Sequence, residues 1–154
     1  MRRFIATVLV AAFTLGAAPS YAGSKPYALP SYIVTVRLSQ KADQKLSEAK
    51  ELVHVSAHYF GIPLESKEAD KSGEFALGDE EADLQGSSAA LLGKFTFKAR
   101  DLSKIVGGSP KVHVTVTSAR KVLSGDVLKC TEFKDYIPAS AQPRIAITCK
   151  LTDE

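Results

Sequence analysis

The chain of 154 residues has no tryptophan and no asparagine, and only two cysteines and one methionine. Without asparagine there is no N-glycosylation acceptor. Without tryptophan the best stacking platform for sugars or quaternary ammonium groups is missing. A field of one sign is missing too, since 20 Lys and Arg face 17 Asp and Glu. Nothing in that balance argues for nucleic acid or for an anionic membrane. Long apolar runs are almost absent. Residues 4–17 form the one such run, and it falls short of the roughly 20 residues that a membrane span takes.

What that run does have is a setting. Met1-Arg2-Arg3 is a short basic start, and Pro19-Ser20-Tyr21-Ala22 puts small residues at the −3 and −1 positions of a cleavage site. The order basic, apolar, small is that of an export signal, so residues 1–22 are expected to be cleaved after Ala22. The arginine pair sits too close to the initiator for a twin-arginine signal, and neither cysteine lies near the cleavage point to carry a lipid. General export of one soluble domain, residues 23–154, is expected, to the periplasm or the medium. Removal of Arg2 and Arg3 lowers the net charge from +3 to +1. In an oxidising compartment Cys130 and Cys149 are expected to form a disulfide.

The mature part is patterned for strands. Residues 51–60 alternate most clearly, with Val53, Val55, Ala57 and Tyr59 on one face and His54, Ser56 and His58 on the other. Period-two alternation of β-branched and aromatic residues predicts a half-buried strand, ended by Gly61-Ile62-Pro63. Further strands are predicted over 31–38, 74–77, 91–98, 111–118, 127–133 and 144–151. Residues 40–50 change period, with Ala42, Leu46 and Ala49 on one stripe and Ser39 placed to cap, which predicts a short helix. A second helical turn after Asp101 should stop at Gly107-Gly108. Residues 64–86 read as a largely irregular, charged connection.

About seven short strands with one polar face each predict antiparallel pairing. The expected fold is mainly β: a small antiparallel β-sandwich, immunoglobulin- or transthyretin-like in architecture, with one or two helical connectors. An α+β two-layer fold is the alternative, with residues 40–50 as a crossover.

Chemistry is hard to find. His54 and His58 share a face, but four residues of strand set them about 13 Å apart, too far for one metal ion. His113 could approach either one if its strand pairs with the first. There is no HExxH and no CxxC, and no metal or other cofactor is expected. Two S-x-x-K matches, at Ser47–Lys50 and Ser118–Lys121, lack the companion motifs of the serine enzymes that use that spacing. No G-x-S-x-G elbow or P-loop occurs, so no catalytic residues and no enzyme activity are expected. Asp79, Glu80, Glu81 and Asp83 do not follow a calcium-loop spacing and read as a solvated loop.

By elimination, the expected function is non-enzymatic binding in the cell envelope, to a protein partner or as an enzyme inhibitor. The candidate surface is the strand end at His54, His58 and Phe60, where an aromatic lies beside adaptable polar groups. The basic tip Ser118-Ala119-Arg120-Lys121 is a second possible contact. The alternative function is a metal-binding accessory protein using His54, His58 and His113.

Overall fold

The computed structural model describes residues 27–137 and 143–154; the expected leader, residues 1–22, lies outside them. The strands are β1 (Tyr27–Ala28), β2 (Tyr32–Leu38), β3 (Val53–Gly61), β4 (Phe75–Leu84), β5 (Ala89–Leu92), β6 (Thr96–Phe97), β7 (Lys111–Ser118), β8 (Leu128–Cys130), β9 (Phe133–Tyr136) and β10 (Arg144–Leu151). Among the described residues two α-helices accompany them, α1 (Gln40–Ala49) and α2 (Ala99–Leu102). Two four-stranded sheets, ordered β5-β2-β10-β8 and β4-β3-β7-β9, pack over one core, and β1 pairs with β6 separately. The fold is mainly β, as expected.

The alternating residues explain the layers. Val53, Val55, Ala57 and Tyr59 are buried, and so are Val112, Val114 and Val116 beside them on β7. Tyr32, Val34 and Val36 of β2 and Ile145, Ile147 and Cys149 of β10 line the opposing sheet. Burying each of the valines and isoleucines contributes about 1.5–3 kcal/mol. The two sheets are also joined by hydrogen bonds. The Tyr32 and Tyr59 hydroxyls lie 2.8 Å apart, and Tyr59 donates to Glu80 Oε2 at 2.8 Å. The same oxygen accepts the Gly93 amide at 2.9 Å. Burial pushes the Tyr32 hydroxyl up to about 12 and raises Tyr59 further, so both remain neutral donors across the physiological range.

Helix α1 forms as its pattern predicts. Ser39 Oγ accepts the Ala42 amide at 3.2 Å, Lys50 closes the helix in the left-handed region, and Ala42 and Leu46 are buried. It leads from β2 in one sheet to β3 in the other. Consequently it is not a crossover between paired parallel strands.

Four expectations are corrected. First, β2 and β10 pair in parallel, Ile33 opposite Arg144 and Val36 opposite Ile147, while every other strand pair among the described residues is antiparallel. A parallel pair requires a long connection, and here most of the chain supplies it. Second, Asp79–Asp83 is no loop but part of the ten-residue edge strand β4. Third, the stretch 127–133 divides: β8 belongs to one sheet and β9 to the other, so the chain changes layer between Cys130 and Phe133. Fourth, α2 starts after Lys98, which makes no side-chain cap, so Asp101 lies inside the helix.

One glycine in β4 is required by packing. At the register shift opposite Tyr59 and Phe60, Gly78 has φ +145°, and a Cβ there would lie 2.2 Å from the Phe95 ring. Phe95 in turn stacks on Tyr59, with centroids 5.5 Å apart.

Candidate functional site

Because inward positions of β3 and β7 are mostly aliphatic, their alternate positions form the outer face of the β4-β3-β7-β9 sheet. Register then sorts the polar residues into cross-strand rows. Asp83, His54 and Thr117 share one row; Glu81, Ser56 and Thr115 the next; Asp79, His58, His113 and Lys134 the third. Ala76, Phe60, Lys111 and Tyr136 make the row at the strand end.

Each histidine is held by a carboxylate. His54 Nδ1 lies 2.8 Å from Asp83 Oδ1, His58 Nδ1 2.6 Å from Asp79 Oδ1, and His113 Nε2 2.9 Å from Glu132 Oε2. Asp83 also receives Lys121 Nζ. The Lys121 hydrogen bond, then that of His54, holds the Asp83 carboxyl below the usual range. His58 and His113 are direct cross-strand partners, whereas His54 stands two rows away opposite Thr117. Among the described residues no group of three or more His, Cys, Asp or Glu is placed to hold a metal ion.

Phe60 does not project into solvent. It is 4% exposed, its ring stacks against His58 at 6.0 Å with 8° between planes, and Lys134 Nζ sits over it at 5.1 Å. It therefore backs His58 and leaves the contact surface to its neighbours. Three of the exposed apolar residues meet just beyond it, while Tyr27, Leu91, Val122 and Tyr136 are exposed elsewhere. Ile62 is 47% exposed, Leu64 60% and Val106 47%. Their two segments are tied together: the Val106 amide donates to the Ile62 carbonyl, the Leu64 amide to the Lys104 carbonyl, and Pro63 bridges to Ile105. Buried Ile105 packs directly over Gly61, where a Cβ would meet it at 2.4 Å.

The S-x-x-K match at Ser118–Lys121 is accounted for otherwise. Ser118 is buried, and its hydroxyl lies 3.3 Å from the Gly125 carbonyl and 3.0 Å from Asp126 Oδ1 in the turn before β8. Lys121 turns away to Asp83 on β4. The loop between β7 and β8 is instead organised by Glu51, which is buried and accepts the amides of Leu52, Lys121, Val122 and Leu123 at 2.8–3.2 Å. Those bonds, that from Leu123 first, lower its pKa to about 2.

Sequence reasoning placed the histidines on one face but missed their carboxylate partners, the apolar strand end and the Glu51 anchor. The alternation of Asp79, Glu81 and Asp83 with Glu80, Ala82 and Leu84 was the available signal for β4. Cys130 and Cys149 are disulfide-bonded and directly opposite on β8 and β10. Among the described residues no helix is long and apolar enough to cross a membrane. No protein-family model and no curated protein matches this chain.

Proposed function

We propose that this is an exported, non-enzymatic binding protein of the cell envelope that docks a protein partner through the end of the sandwich beyond β3. The observation that carries this reading is the joined apolar patch of Ile62, Leu64 and Val106, about half exposed on two hydrogen-bonded segments. Clustered apolar side chains at a loop end favour association over solvent exposure. The adjoining stretch 98–111 carries Lys98, Arg100, Lys104 and Lys111, of which Arg100 pairs with Asp101 and Lys104 with Glu68. The complementary partner is thus a protein whose apolar contact is rimmed by carboxylates. The disulfide is compatible with an extracytoplasmic setting.

A photo-crosslinking residue at Leu64, exposed to envelope protein, tests this. A discrete adduct is expected that fades with added salt and is lost when Val106→Asp is introduced, with the melting temperature unchanged. An adduct that survives Val106→Asp, or none at Leu64, rejects the patch as the docking surface.

A further inference from the structure

We infer that His58 and His113 form a two-imidazole site for a borderline divalent transition metal, Zn²⁺ or Cu²⁺, at the seam between β3 and β7. The two residues are direct antiparallel partners on the outer face. That register sets Cβ atoms about 4.5–5.5 Å apart, within reach of one shared cation. Imidazole nitrogen is a preferred ligand for both metals.

The flanking carboxylates supply the second reason. Asp79, on β4, takes Nδ1 of His58, and Glu132, just before β9, takes Nε2 of His113. They come from opposite sides of the β3–β7 pair. The nitrogens left without these partners are Nε2 of His58 and Nδ1 of His113, one from each ring. A carboxylate that holds one ring N–H fixes the tautomer and leaves the other nitrogen's lone pair for a metal, the arrangement found behind metal-bound histidines. Phe60 stacked on His58 restricts that ring further. His54 has a carboxylate partner but a threonine opposite, so it lacks the second imidazole. With two protein ligands, water completes the coordination, and the bound ion is exchangeable.

The test is calorimetric titration of the purified full chain with Zn²⁺ and with Cu²⁺ at neutral pH in a non-coordinating buffer. One equivalent is expected to bind. His58→Ala and His113→Ala should each weaken it by about tenfold or more, and Asp79→Asn by about tenfold. His54→Ala should leave it unchanged. Electron paramagnetic resonance of the Cu²⁺ form should show two coordinated imidazoles, and one in His113→Gln, a variant that retains a hydrogen-bonding side chain toward Glu132. No binding by the wild-type chain, equal affinity in His58→Ala, or a loss as large in His54→Ala would overturn the site. The docking patch at Ile62, Leu64 and Val106 shares no residue with it, so either proposal can fail alone.

Discussion

Glu51 shows how one side chain can organise a loop that has little packing of its own. Four backbone amides converge on its carboxylate, three of them from the loop between β7 and β8. A buried carboxylate is tolerated only when it is hydrogen-bonded in this way. Its pKa falls from 4.5 to about 2. The folded value is depressed, so its stabilisation is complete above the unfolded pKa and disappears as pH falls toward about 2. Glu51→Gln should therefore lower the urea midpoint at neutral pH, and the gap from wild type should narrow between about pH 4.5 and 2. A gap that stays constant across that range would show that the amides are not responding to charge. In the sequence, Glu51 is only the first residue of a predicted strand; nothing local indicates that residues 121–123 fold back onto it.

Strand β4 is the element where local pattern and tertiary context disagree most. Its acids lower β-propensity, and a glycine interrupts its alternation at Gly78. The ladder with β3 overrides both, pairing His54 with Asp83 and His58 with Asp79. Charged side chains are also what an exposed edge strand carries to resist pairing with other chains. Gly78 permits the shift in register because its bare Cα admits the Phe95 ring and accepts φ +145°. Gly78→Ala should displace Phe95 from Tyr59 and destabilise the fold by about 1–3 kcal/mol. Chemical denaturation measures this, and a wild-type midpoint would mean that β4 relaxes without cost. By contrast β3, β7 and β10 were legible because strict alternation leaves one way to bury their aliphatic face. Helix α1 was legible because its cap and its stripe agree.

For the whole molecule, closure depends on the chain's last strand. Strand β10 lies between β2 and β8, parallel to one and antiparallel to the other. The disulfide across β8 and β10 closes a separation of 19 residues that includes the change of layer. On the loop-closure model its removal costs about 3 kcal/mol. The double variant Cys130→Ser, Cys149→Ser should lose that much in urea unfolding, and an unchanged midpoint would mean that the ladder alone holds β8 in place.

Pattern along the chain sets the content of the faces: which residues must be buried, that the fold is mainly β, and that two cysteines are available to pair. Hydrophobic period and side-chain chemistry are local properties, readable along the chain. Tertiary structure decided the neighbours. Only the register of β3 against β7 sets His58 opposite His113, and only the two joined segments bring Val106 to Ile62. Phe60 illustrates the difference: alternation assigns it to the polar face, but a stacked histidine and an overlying lysine bury it there. Contacts between residues far apart in the chain depend on strand order and register, and a single strand's pattern specifies neither.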